Sequence, residues 1–120
     1  MQRRRVLQAA AAAPLALSAP ALHAQEFNQT VRIIVPFGPG GTSDILARLI
    51  AQPLSARIGQ NVIVENRPGA GGNIGADAVA KSRPDGHTMV LLDISALATN
   101  PWLFARMPFD AMRDLAPVQM

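Results

Sequence analysis

The residues best suited to bind a ligand form a short turn at positions 37–44, which reads FGPGGTSD. Gly40 and Gly41 lack a Cβ atom, so the chain can bend sharply and a ligand can approach the backbone N–H groups closely. Thr42 or Ser43 is predicted to start and cap a helix, whose first N–H groups and positive dipole end favour a carboxylate or a phosphate. The turn therefore predicts an anion-binding site, although a tight turn whose glycines serve only geometry would have the same sequence.

The segments on either side of this turn are a predicted strand and a predicted helix. Residues 31–35 read VRIIV, an almost uninterrupted apolar run that is typical of a strand covered on both faces. After the turn, large apolar residues recur at helical spacing, which predicts one amphipathic helix that stops at Gly59. Pro53 would kink or split this helix. The residues expected on its apolar face are Ile45, Leu46, Leu49, Ile50, Leu54 and Ile58.

The same order of strand, glycine turn and helix then repeats. A second strand is predicted at residues 62–65, a second glycine turn at 68–72 and a helix at about 73–81, followed by a third strand at 87–92. Strands that alternate with helices at this spacing indicate an α/β fold with right-handed crossovers, which begins βαβαβ around a parallel sheet. Ligands of open α/β sheets bind at the carboxyl ends of the strands, where the first glycine turn lies.

The pattern becomes less regular beyond Asp93. Residues 94–100 are predicted to form a loop or short turn, and residues 101–106 a short helix. Residues 107–114 mix polar and apolar types without a clear period, and residues 115–120 have the composition of another strand. Three strands are few for a finished domain, so we expect a fragment or the product of a truncated reading frame.

The net charge of the chain is concentrated at its start. The 120 residues carry a net charge of +3, but Arg3, Arg4 and Arg5 supply three of the eleven basic side chains, and the other eight balance the eight acidic ones. These arginines precede an alanine-rich apolar stretch that is too short for a membrane span and has the plan of an export signal. Residues 1–24 are therefore predicted to be a cleavable signal for the twin-arginine or the Sec route, and no nucleic-acid partner is expected.

Groups that could catalyse a reaction are scarce. The chain has no cysteine, so neither a disulfide nor a thiolate metal site is available. Both glycine turns lack the third glycine of a dinucleotide-binding turn and the lysine of a Walker loop. His87, the only histidine beyond the predicted signal, is interpreted as a turn or surface residue, and Glu65 and Arg67 as a surface ion pair. Asp44 could be an acid or a metal ligand, but a carboxylate in a first helical turn usually complements the dipole.

Several longer motifs follow one another in a fixed order: VPFGPGGTSDILARLIA, ENRPGAGGNIGADAVA with PDG after it, TNPWLF and FDAMRDLAPV. Together they resemble the Bug family of tripartite tricarboxylate transporter substrate-binding proteins, from about Val31 to the last residue. The resemblance implies a monomeric periplasmic-binding-protein-like fold of two α/β domains, which closes on a small carboxylate without catalysis and passes it to membrane transporter subunits. Members of the family are much longer, so residues 25–120 would supply only part of the first domain, and the second would be absent.

The resemblance also implies which residues contact the ligand. The ligand would be a tricarboxylate, a dicarboxylate or a related organic acid, held through backbone N–H groups, hydroxyls and bridging waters of the first turn. The second glycine turn would line the same domain nearby, and Ser95 follows the third strand at the same edge. No catalytic residue, metal or cofactor is expected. The predicted substrate-binding residues are Phe37, Gly40, Gly41, Thr42, Ser43, Asp44, Gly71 and Ser95.

Two other functions are compatible with the residues. One is an α/β enzyme that binds a phosphorylated or nucleotide substrate, which would need reactive groups from beyond Met120. The other is a non-functional truncated remnant.

Overall fold

The part of the protein that the structure describes, residues 27–118 of a computed structural model, is built around one parallel sheet. Strand β1 (Val31–Val35) lies between β2 (Val62–Asn66) and β3 (Thr88–Val90) and pairs in parallel with both. Apart from Arg32, every residue of β1 is buried. This confirms the predicted α/β fold with a parallel sheet, and a central strand covered on both faces.

Helix α1 (Thr42–Ile58) follows β1 and packs on one face of the sheet. It stops as predicted at Gly59, which has a left-handed φ of 67°. Pro53 lies inside the helix and does not split it. The predicted buried face is wrong in its first half, because the small side chains of Ala47 and Ala51 lie against the strands and let the helix approach them closely. Among the described residues, Ile45, Leu46, Leu49 and Ile50 are 45–66% exposed.

Helix α2 (Asn73–Ala80) covers the opposite face near the end of β1. It follows directly after a 3₁₀ turn at Ala70–Gly72. Gly75 lies so close to Pro36 that an added Cβ would be 2.7 Å from the Cβ of Pro36. The neighbouring Ala76 is 0% exposed, so small residues on this helix also allow a close approach to the sheet.

The chain beyond β3 is more helical than its sequence indicates. Helix α3 (Ile94–Leu103) replaces the predicted loop, and α4 (Ala111–Asp114) is a single turn. The step from Asn100 to Pro101 disfavours a helix on local grounds, because the residue before a proline avoids the helical region. Tertiary contacts override this preference, since Asn100 is only 6% exposed and is hydrogen-bonded through its side chain.

Three sequence predictions concern the ends of the chain and the third strand. The predicted signal at residues 1–24 lies outside the described residues, as do residues 119 and 120. Residues 115–118 form no strand, and β3 is shorter than the predicted 87–92. Within residues 27–118, every helix is too short or too polar to cross a bilayer.

Candidate functional site

The first glycine turn is an exposed surface at the carboxyl end of β1. The chain leaves the sheet at Pro36, which is buried, and passes through three exposed glycines before α1 begins. Gly40 has a φ of 84°, which only glycine adopts without strain. A Cβ built on Gly38 would meet no heavy atom within 4 Å. The turn is therefore open to a ligand from outside.

The first N–H groups of α1 are not used by the described part of the protein. Gly41 is the N-cap and has no side-chain hydrogen bond, so the prediction that Thr42 or Ser43 caps the helix is wrong. The first N–H to bond within the helix is that of Ile45, which donates to the carbonyl of Gly41 at 3.0 Å. No backbone hydrogen bond within residues 27–118 uses the N–H of Thr42 or Ser43. Donors at the positive end of the helix dipole are thus left for an anion.

Asp44 organises the inner side of this turn. It is 4% exposed, and its Oδ2 accepts a hydrogen bond from the N–H of Gly40 at 3.0 Å. Arg48 lies one helical turn later and donates from Nε to Oδ2 at 3.1 Å, with its Nη2 3.0 Å from Oδ1. The hydrogen bond from Arg48, followed by that from Gly40, lowers the pKa of Asp44 from 3.8 to about 2. The carboxylate is therefore ionised and bound by the protein itself, and a direct contact with a ligand stays a prediction.

Asn66, at the end of β2, joins the same network although it is not among the predicted site residues. Its Nδ2 donates to the carbonyl oxygen of Phe37 at 3.1 Å and to Oδ1 of Asp44 at 3.0 Å. Its Oδ1 accepts a hydrogen bond from Nη2 of Arg48 at 3.2 Å. The sequence carries a signal for Arg48, which is four residues after Asp44 on a helix, but none for the long-range contacts of Asn66.

The second glycine turn lies beside the first. Gly71 and Gly72 have φ values of 61° and 93°, and a Cβ built on Gly72 would be 3.5 Å from Cζ of Phe37. On its other side this turn is held by Asn100, whose Nδ2 donates to the carbonyl of Gly71 at 2.9 Å and to Oδ1 of Asn73 at 2.8 Å. The structure therefore brings the second glycine turn, which contains Gly71, next to Phe37.

Ser95 is in the first turn of α3, just after β3. The preceding Leu92 approaches the second glycine turn, since a Cβ built on Gly72 would be 3.2 Å from Cδ1 of Leu92. Ser95 is therefore three residues along the chain from a side chain that lies at this edge of the sheet. Its contact with a ligand stays a prediction, as do those of the other predicted site residues.

Two other polar groups were singled out from the sequence, at residues 65 and 87. Glu65 binds both Arg32 and Arg67, which confirms the predicted pair with Arg67, and these two bonds, that of Arg32 first, lower the pKa of Glu65. His87 precedes β3 and is therefore at the opposite end of the sheet. It lies in the turn before β3, as one of the two predicted interpretations has it, and its side chain is 12% exposed with Nδ1 3.2 Å from Oδ1 of Asp85. No group of three or more histidine, cysteine, aspartate or glutamate residues within 27–118 could hold a metal ion.

Two open hollows in the described part lie to the side of the first glycine turn. A cavity of about 200 Å³ adjoins α2 and is lined by Asn73, Asp77 and Arg106 among others. A larger depression of about 760 Å³ lies between α1 and the outer edge of β2. The first glycine turn lines neither of them. It is one exposed wall rather than an enclosed pocket.

Comparison with known proteins gives the family of this chain. Residues 46–120, more than half of it, match the tripartite tricarboxylate transporter family receptor. The chain belongs to this family. It is the family of Bug-type periplasmic solute-binding proteins, as the motifs predicted. This is a family of receptors rather than enzymes, which contradicts the enzyme alternative.

Individual relatives include a Bug protein and two solved structures with a bound organic acid. The chain is 48% identical over 91 residues to the protein BugT of Bordetella pertussis, in an alignment that covers 75% of this chain and 28% of that protein. It is similar to MatC from Rhodopseudomonas palustris with bound malate, with a TM-score of 0.68, 36% identity and coverage of 72% and 30% of the two chains. Rpa4515 of R. palustris with adipate gives a TM-score of 0.51, 49% identity and coverage of 52% and 21%. The chain thus spans about a third of the length of these receptors or less.

Proposed function

We propose that this Bug-family receptor segment binds one carboxylate group of a small organic acid at the first glycine turn. The observation that carries the proposal is that the N–H groups of Thr42 and Ser43 have no backbone partner within residues 27–118 and lie at the positive end of α1. The nearby negative charge of Asp44 is balanced by Arg48, and its carboxylate oxygens are hydrogen-bonded within the protein. An approaching carboxylate therefore meets backbone donors without a strong repulsive charge.

The ligand class we propose is a dicarboxylate, a tricarboxylate or a related organic acid. Malate and adipate, which are bound to two solved relatives, differ in length and in substituents but both end in a carboxylate. A site made of backbone N–H groups recognises that shared group. Side chains elsewhere would then select the rest of the ligand.

The exposed position of the turn supports a second part to the proposal. One open wall gives a ligand few contacts, whereas small-molecule sites usually bury most of the ligand surface. We propose that a second domain, as in periplasmic-binding-protein-like folds, closes over the acid. The receptor would act as a monomer in the periplasm, exported by the signal at residues 1–24, and deliver its ligand to membrane transporter subunits.

Calorimetric titration of the full-length protein tests this function. Malate, adipate and citrate should be compared with dimethyl malate, a matched control that keeps the malate skeleton and removes both negative charges. We expect binding of at least one acid and none of the diester. A folded protein that binds none of the acids, or that binds the diester as tightly as malate, would contradict the proposed carboxylate site.

A further inference from the structure

Asn66 uses every polar atom of its side chain to brace the first glycine turn. Its two amide hydrogens are donated to the carbonyl of Phe37 and the carboxylate of Asp44, and its oxygen accepts from Arg48. Rotating the amide by half a turn would place its oxygen against two acceptors, so only one orientation satisfies this network. The side chain thus ties the end of β2 to the turn that follows β1.

The bond to Phe37 sets the direction of one more backbone donor. In a planar trans peptide the C=O and the following N–H point in opposite directions, and the described residues contain no cis peptide. Because Asn66 draws the carbonyl of Phe37 toward the end of β2, the N–H of Gly38 points away from Asn66. Gly38 is exposed, and a Cβ built on it would meet no heavy atom within 4 Å, so there is room for a ligand beside this residue.

The bond to Asp44 holds the rest of the turn. The same carboxylate accepts the N–H of Gly40, which fixes the peptide group between Pro39 and Gly40. Without Asn66, Oδ1 of a nearly buried carboxylate would lose a donor, and such losses are costly. The carboxylate would then be free to shift, and the N–H of Gly40 with it.

We propose that Asn66 is a positioning residue for ligand binding, which aims the N–H of Gly38 and keeps those of Thr42 and Ser43 open toward a carboxylate. This inference rests on the proposed function, because it names the side chain that shapes the same site. Asn66 acts through the backbone and does not itself contact the acid.

The isosteric change Asn66→Asp tests the inference in the full-length protein with malate as the probe. It replaces two donated hydrogen bonds by an acceptor facing two acceptors, so we expect malate affinity at about pH 7.5 to fall about tenfold or more. Protonation of the introduced carboxyl restores one donor. The ratio of variant to wild-type affinity, which cancels the titration of malate itself, should therefore recover toward one as the pH falls to about 4.5.

Two matched variants separate this effect from a general loss of structure. Asn66→Leu removes the same donated hydrogen bonds without adding a charge that repels malate, so its affinity should also fall. Because it has no titratable group, its affinity ratio should not recover at acid pH. Asn61→Asp makes the same charge change at an exposed residue just before β2 and should bind malate like the wild type. Full affinity of Asn66→Asp at about pH 7.5, or a ratio that ignores pH, would overturn the inference.

Amide hydrogen exchange without ligand distinguishes failure of this inference from failure of the proposed function. The N–H of Gly40 is protected by Asp44, which Asn66 holds in place, so Asn66→Asp should speed its exchange. Equal exchange rates in the variant and the wild type would overturn the inference whether or not malate binds. A wild-type protein that binds no acid contradicts the proposed function alone.

Discussion

Replacing Gly41 with serine should make the protein more stable and its ligand binding weaker at the same time. Gly41 is the N-cap of α1, with φ −76° and ψ 168°, values that any residue can adopt. A Cβ at this position would meet only the carbonyl oxygen of Gly38, at an ordinary contact distance of 3.6 Å. A serine hydroxyl there would accept the N–H of Ser43, which we propose is left for a carboxylate, or that of Asp44 beside it.

The magnitude follows from comparing Gly41→Ser with Gly41→Ala, because both variants add the same Cβ. A serine N-cap stabilises a helix by about 1 kcal/mol relative to alanine. This hydrogen bond must break before a ligand takes the same N–H, so the same free energy is subtracted from binding. Serine should therefore bind malate about fivefold more weakly than alanine.

Urea unfolding without ligand and calorimetry with malate, both on the full-length protein, measure the two effects. We expect the serine variant to exceed the alanine variant in unfolding free energy by about 1 kcal/mol and to show the fivefold weaker affinity. A serine variant that is more stable than the alanine variant but binds malate equally tightly would show that these N–H groups do not contact the ligand. Serine that gains no stability would show that the N–H groups are already satisfied in the free protein.

Two further predictions concern the support of the site. Gly75→Ala places a Cβ 2.7 Å from the Cβ of Pro36, so the unfolding free energy measured in urea should fall by about 1–3 kcal/mol. The control Gly38→Ala, whose Cβ has no heavy atom within 4 Å, should change it little. Equal stability of both variants would contradict the close packing of α2 on β1. The pKa of Asp44 is lowered from 3.8 to about 2, so the stability that its contacts provide should be complete above pH 3.8 and lost as the pH falls through about 2. Carbon-13 NMR titration of the Asp44 carboxyl measures this directly, and a midpoint near 3.8 would mean that its contacts with Arg48 and Gly40 do not persist in solution.

Local signals in the sequence predict the elements around the site well. The β-branched run of β1 and the glycine after α1 define a strand and a helix end through nearest-neighbour chemistry alone, and the structure has both. The buried face of α1 could not be predicted in the same way. Ala47 and Ala51 are weakly apolar, and their burial depends on how closely the helix approaches the sheet, which is a property of the tertiary packing.

The two asparagines that hold the turns in place could not be predicted from the sequence for a related reason. Asn66 is 22 residues from Asp44 and 29 from Phe37, and Asn100 is 29 from Gly71. Asparagine beside glycine and proline is typical of turns, so its local pattern gives no sign of a buried contact. Helix α3, which contains Asn100, was not predicted because Pro101 lies inside it.

The choice of amide side chains as braces has a physical logic for an anion site. An amide can donate and accept hydrogen bonds without bringing a charge, whereas a carboxylate in its place would repel the ligand and a cationic group could pair with it directly. The ionised carboxylate under the first turn, that of Asp44, is paired with Arg48. If the proposed function holds, these turns offer a carboxylate backbone N–H groups and the hydroxyls of Thr42 and Ser43, so they recognise a carboxylate as a group. Selection among different acids must then arise from contacts that other parts of the receptor make with the rest of the molecule.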